Sequence, residues 1–187
     1  TLTLNEARAL YFEVNGFGED GGYNDDWVSG KFGPVPFAFP NTDARKRAVP
    51  LHDLHHVITG YATDGAGEGA IAAWELASGC GRHWAAWFLN LNAMLIGSLL
   101  YSRTVWTAFL HGRASRNYYI RGIDDELLAT ELAVARSELL GTEAQPPATA
   151  GDCAAFAGWW SVGLLLAVAQ LSLVFGPLAW LASWLFA

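Results

Sequence analysis

The sequence predicts an all-α fold: one compact helical domain followed by a C-terminal apolar helix or hairpin. Three observations carry this expectation. Apolar runs of helical length recur between Gly- and Pro-rich breaks, and no stretch shows the sustained alternation of a half-buried strand. His52 and His56 stand four apart, which on a helix puts both imidazoles on one face, with Asp53 one step round the turn. Finally, no charged residue occurs from Ala154 to Ala187, a run longer than the roughly 20 residues a helix needs to cross a bilayer.

Taken in order, Asn5 can cap a first helix that runs to about Glu13 and ends in the glycine-rich turn from Asn15 to Gly22. Residues 23–50 read as irregular, because Pro34, Pro36, Pro40 and Pro50 interrupt any long element. Phe32, Phe37 and Phe39 should anchor this segment onto the helices, and its length makes it a candidate lid. Helices are expected at 49–61, 67–79, 83–112 with a break near Gly97, and 124–141. Asp124-Asp125-Glu126 favours the start of the last one. The uncharged stretch 83–102 reads as a core helix, because His83, Asn90 and Asn92 suit it poorly to lipid. The resulting organisation is a helical domain over 1–141, a linker over 142–153 marked by Pro146-Pro147, and a membrane segment over 154–187. Gly176-Pro177 should end the first membrane helix near Phe175.

The helix expected at 67–79 opens close to Glu68, so that carboxylate can fold back towards the histidines of the helix before it. His52, Asp53, His56 and Glu68 then form a set of four metal-competent side chains. Mixed nitrogen and oxygen donors suit zinc first, with iron, manganese or magnesium as alternatives. Competing readings are that Glu68 complements a helix N-terminus and that the histidines are satisfied by hydrogen bonds. His55, Tyr61 and Asp64 flank the set and are candidates for acid, base or supporting roles.

Composition narrows the partners. The net charge of −7, from 18 acids and 11 bases, excludes a broad basic surface for nucleic acid. Arg103, Arg113, Arg116 and Arg121 lie close together among Trp106, Tyr118 and Tyr119. They are candidates for contact with an anionic headgroup or a prenyl phosphate, the alternative being a solvated helix end. Cys80 and Cys153 are expected to be free thiols.

The run His52-Asp53-x-x-His56, eleven residues, then Glu68 resembles the signature of the Coq family's fourth member, a ubiquinone (coenzyme Q) biosynthesis protein. Tyr61, Thr63, Asp64, Gly67, Trp74-Glu75, Tyr119-Arg121-Gly122 and Arg136 also look like that family, over about residues 1–141. The resemblance implies an all-helical protein that binds a divalent metal through His52, Asp53, His56 and Glu68. It further implies that the protein holds an isoprenoid tail in an apolar groove and associates with membranes. Family members organise other biosynthetic enzymes or remove the ring C1 carboxyl group oxidatively. The segment Asn15–Tyr23 and the long apolar C-terminus depart from the family pattern. A weaker overlap, His52-x-x-His55-His56, resembles one histidine box of membrane di-iron enzymes, but those use about eight histidines and this chain has 5.

Two functions are therefore expected. One is a membrane-attached, metal-dependent enzyme acting on the head group of a prenylated quinone precursor. The other is a lipid- or quinone-binding accessory subunit of a membrane complex that meets its partners through residues 154–187. Metal-dependent hydrolysis of a lipid ester or phosphate is a third use the ligand set permits.

Overall fold

A computed structural model describes residues 1–32, 35–141 and 147–185. Several of its helices begin where a Thr or Asp side chain, at Thr3, Thr42, Asp64, Asp124 or Thr149, satisfies a free backbone N–H group. Helix α1 (Leu4–Asn15) starts at Thr3 rather than Asn5, in a reciprocal cap: Thr3 Oγ1 accepts from the Glu6 N–H at 3.2 Å, and Glu6 Oε2 accepts from the Thr3 N–H at 2.8 Å. Gly16, at φ 68°, closes the helix in a left-handed conformation that its missing Cβ permits.

Within the segment expected to be irregular, the described residues form an antiparallel hairpin, β1 (Trp27–Phe32) and β2 (Val35–Pro40). The prolines do not prevent it. Pro36 and Pro40 occupy the same side of a two-stranded ribbon, opposite Lys31 and Trp27, where missing N–H donors can face away from the partner strand. Pro34 lies outside the described residues. Of the phenylalanines expected to anchor this segment, Phe39 lies under the Arg45 guanidinium at 5.9 Å, and the side chains of Phe32 and Phe37 lie outside those described.

Helix α2 (Asp43–Thr59) also starts earlier than expected, capped by Thr42, and carries Pro50 in its interior. Helix α3 (Gly65–Ser78) is the centre of the molecule, with Ala70–Leu76 buried throughout. Helices α4 (Trp84–Leu100) and α5 (Ser102–Arg113) both pack against it and against each other. Close approach depends on two glycines. A Cβ on Gly97 would meet the Gly69 backbone at 2.8 Å, and one on Gly112 would collide with the Trp74 carbonyl. Gly97 is therefore a contact inside a helix, not the expected break, which falls at Tyr101.

The expected helix 124–141 is divided into α6 (Asp125–Leu128) and α7 (Leu132–Leu140). The N-terminal segment inserts between them: the Leu4 N–H donates to Thr130 O at 2.8 Å and the Leu132 N–H to Leu2 O at 2.9 Å. Arg136 reaches back from α7 to donate to the Val57 and Ile58 carbonyls at the end of α2.

Helix α8 (Ala150–Leu185) is capped by Thr149 and runs on through Pro177 instead of ending near Phe175. Proline removes only the hydrogen bond to the carbonyl four residues back, and intact helix lies on both sides. Residues 142–146 of the expected linker lie outside the described residues. The first turns of α8 dock on the domain: Phe156 against Trp106 and Phe109, Trp159 stacked on Trp87, Gly163 against Leu91 and Leu95. Beyond them the described side chains are mostly exposed and apolar. Ala150–Pro177 is long and apolar enough to cross a membrane, which makes α8 compatible with a membrane anchor.

Candidate metal centre

Helix α2 carries His52 and His56 one turn apart, and the N-terminal turn of α3 brings Glu68 across to them. The His52 Nε2, His56 Nε2 and Glu68 carboxylate ligand atoms all lie within 4.8 Å of one another. The two Nε2 atoms are 3.2 Å apart, and Glu68 Oε1 and Oε2 stand 3.5 Å from His56 and 3.7 Å from His52. Two donors each about 2.0–2.2 Å from one metal at a tetrahedral angle would be about 3.3–3.6 Å apart. The observed triangle is close to that size.

Hydrogen bonds fix which ring nitrogens are available. Across the shared face, the Tyr61 carbonyl takes a bond of 2.9 Å from His56 Nδ1–H. The Glu75 carboxylate takes bonds of 3.1 Å from His52 Nδ1–H. Both Nδ1 atoms being donors, both Nε2 lone pairs point into the same space as the Glu68 carboxylate. A cluster so rich in lone pairs needs a cation, either a shared proton or a metal ion. Two imidazoles and a carboxylate, each oriented by an outer partner, are a donor set that a divalent metal fits. Three protein donors would leave a tetrahedral ion one position for water or substrate.

Glu75 is the hub behind the site. It is fully buried and accepts from His52, from His55 Nδ1 at 2.6 Å, from Asn90 Nδ2 at 2.5 Å and from the Tyr119 hydroxyl at 2.9 Å. Burial alone would raise its pKa, but the charge on His52 and the histidine hydrogen bonds hold it well below the usual carboxylate range. Burial works against a charge on His52 too, yet Glu75 and Glu68 together push that imidazole well above its ordinary value. Burial and the neighbouring His52 charge push His56 down to about 4. In the metal-free site one proton therefore resides on His52 and His56 stays neutral.

The remaining sequence candidates are placed differently. Asp53 is buried outside the three-residue group and accepts from the Tyr23 hydroxyl at 2.7 Å; burial raises its pKa. His55 has no exposure, and its Nε2 accepts from the Tyr118 N–H at 3.0 Å, so both ring nitrogens are engaged inside the core. The Tyr61 hydroxyl pairs with His111 Nδ1 at 3.1 Å, and burial pushes it up to about 12. Asp64 caps α3 by accepting from the Gly67 N–H. Arg113 pairs with Asp152, Arg121 faces Asp124 and Glu126, and Arg103 and Arg116 are exposed; none of the four lines the cavity beside the site.

That cavity, about 530 Å³, has His52, Asp53, Glu68, Asn90 and Tyr119 on its wall. Trp27, Val28 and Phe39 of the hairpin, with Ala86, Leu89 and Ala93 of α4, supply apolar surface, and Arg45 supplies a cation. The segment expected to act as a lid thus forms part of the enclosure. Sequence reasoning missed Arg45, Tyr23 and the hub. The available signal for the hub was one acidic residue, Glu75, inside the apolar run Ala70–Leu76, because a charge there requires partners.

Fold and site define a helical domain with a His-His-Glu group able to hold a metal ion, joined to one long apolar helix. In comparisons with family models, curated proteins and solved structures, nothing matches this chain.

Proposed function

We propose that this is a membrane-anchored metal protein that acts on, or binds, the aromatic head group of a prenylated quinone precursor, as the resemblance to the ubiquinone-biosynthesis family implies. The observation that carries the reading is the position of the His52-His56-Glu68 group beside a cavity, where His52 and Glu68 share the wall with aromatic and aliphatic side chains and with the polar groups of Arg45, Asp53 and Asn90. Such a cavity suits a flat ring with an apolar tail, and the cation-seeking group meets the ring's oxygen substituents. A bound divalent ion, zinc first, would supply Lewis acidity to a carboxylate or carbonyl. The chain's own residues then have separate tasks. Glu75 and the Tyr61 carbonyl orient the ligands, Arg45 attracts an anionic substituent, and Asp53, raised by burial, is suited to exchange a proton within the cavity.

The second reading is a non-catalytic quinone or lipid carrier within a membrane assembly. Its support is that His55, Tyr61 and Asp64 are all committed to internal hydrogen bonds, which leaves few groups for chemistry.

Elemental analysis of detergent-purified protein tests the site, with Glu68→Ala beside the wild type and mass spectrometry of the co-purifying lipids. One bound metal that is lost in the variant, together with a prenylated aromatic in the extract, is the expected result. Bound metal and bulk phospholipid alone would overturn the quinone reading and leave a metal site. Conversion of a supplied prenylated aromatic acid separates the enzyme from the carrier.

A further inference from the structure

The apolar helix α8 does not leave the domain alone. Trp159 stacks on Trp87, and four residues later Gly163 meets Leu91 and Leu95, so α4 and α8 run parallel. Helix α5 runs the other way, with Arg113 bonded to Asp152 and Phe109 against Phe156. The corner joining α4 to α5 therefore sits at the end of the domain from which α8 departs. At 1.5 Å per residue it is level with roughly residues 163–172 of α8.

The surface at that level is apolar on both helices. Val162, Leu165 and Val168 are exposed on α8, and Ile96, Leu99 and Leu100 on α4, with Leu99 71% and Leu100 65% accessible. No charged residue occurs between Arg82 and Arg103 or after Asp152. A soluble surface seldom carries so continuous an apolar patch. Tyr101 and Arg103 follow at the corner, residue types that favour the headgroup layer. Arg103 is exposed and has no ion pair among the described residues.

We infer that the α4–α5 corner, Leu99-Leu100-Tyr101 with Arg103, is a second membrane-contacting element that enters the bilayer interface beside α8. This inference rests on α8 being an anchor, as proposed above. Two contacts on one rigid unit fix the tilt of the domain, which a single helix cannot do. They also keep α4 at the lipid surface, and α4 supplies Ala86, Leu89 and Ala93 to the wall of the metal cavity. A tailed substrate could then pass between the lipid and the cavity along that helix.

Spin labels on the full chain in phosphatidylcholine vesicles test this, at Leu100→Cys, at Leu173→Cys in α8 and at Ile120→Cys, in a Cys153→Ser background. Cys80 is buried and should not react. Ile120, 87% exposed, follows Tyr119, whose ring meets His83 at the opposite end of α4. At Leu100 and Leu173, oxygen should relax the label more than a water-soluble nickel chelate does, and the order should reverse at Ile120. A lipid-like Leu173 with a water-like Leu100 would overturn the corner contact and leave the anchor standing. Water-like labels at both would overturn the anchor and with it the corner. A Leu100 label shielded from both reagents would mean protein covers the corner, which also overturns the inference.

Discussion

Glu75 organises the candidate metal site without belonging to it. Its carboxylate holds His52 in the tautomer that frees Nε2, and Asn90, Tyr119 and His55 hold the carboxylate in turn. Glu75→Gln keeps the shape but loses the charge and must present its amide to one of these donors. Zinc affinity should fall about 10–100-fold, the usual cost of losing an outer partner of a metal ligand. A cobalt-substituted sample should show a shifted ligand-field spectrum, which a purely structural change would leave alone; unaltered affinity and spectrum would refute the positioning role. The same residues give the metal-free protein a pH optimum. Below pH 6.5 the unfolded chain protonates His56 whereas the native site resists until about pH 4. The unfolded state then binds more protons, and stability falls by on the order of 3 kcal/mol over that interval. His52 acts in the opposite sense: its raised pKa stabilises the native state fully below 6.5, and that contribution is lost as pH rises through the folded value. Urea unfolding of metal-free protein should therefore show its highest midpoint near neutrality. Added zinc should raise the alkaline arm most, because the metal takes the place of the His52 proton.

At the scale of elements, the site depends on how closely α3 and α4 cross. Gly69, next to Glu68, touches Gly97, where an added Cβ would lie 2.8 Å from backbone. Gly97→Ala must push the helices apart, at about 1–3 kcal/mol, and displace Glu68 from the histidines. A lower melting temperature and weaker zinc binding are expected together. Gly158→Ala, which meets nothing within 4 Å, should cause neither. This crossing also shows what the sequence could and could not reveal. The His52/His56 spacing and the apolar run after Glu68 are enough to place two helices and to bring His52, His56 and Glu68 together within an expected set of four that also held Asp53, because helical periodicity is local. The role of Gly97 was not legible, since a glycine that ends a helix and one that lets two helices touch look alike in sequence. The hairpin was hidden by Pro36 and Pro40, which count against a strand unless its free edge is known. The break between α6 and α7 is set by backbone bonds from Leu2 and Leu4, more than a hundred residues away. Asp53 carried a ligand's spacing, but its partner Tyr23 sits on a segment with no periodic signal.

For the molecule as a whole, α8 is a wall of the domain and, in the proposed function, its membrane anchor, and the two roles can be cut apart. Phe156, Trp159 and Gly163 cover Trp106, Phe109, Trp87 and Leu91, whereas Leu171, Leu173 and Val174 are exposed. A chain ended after Ala167 retains the docked turns. It should keep its metal and a cooperative melt, yet no longer resist extraction from membranes by alkali. A chain ended after Ala148 uncovers several large side chains, each worth roughly 1.5–3 kcal/mol when buried. It should melt far lower or aggregate, and lose metal as α4 shifts against α3. Thermal melts and alkaline extraction of both truncations, each assayed for zinc, separate the outcomes. If the shorter chain were as stable as the longer, α8 would be an appendage. If the longer chain still resisted alkali, the segment beyond Ala167 would not be what holds the protein in the bilayer. The expected split makes the docked half of α8 structural support for a metal site that needs no membrane to form, and leaves the exposed half to determine where that site is used.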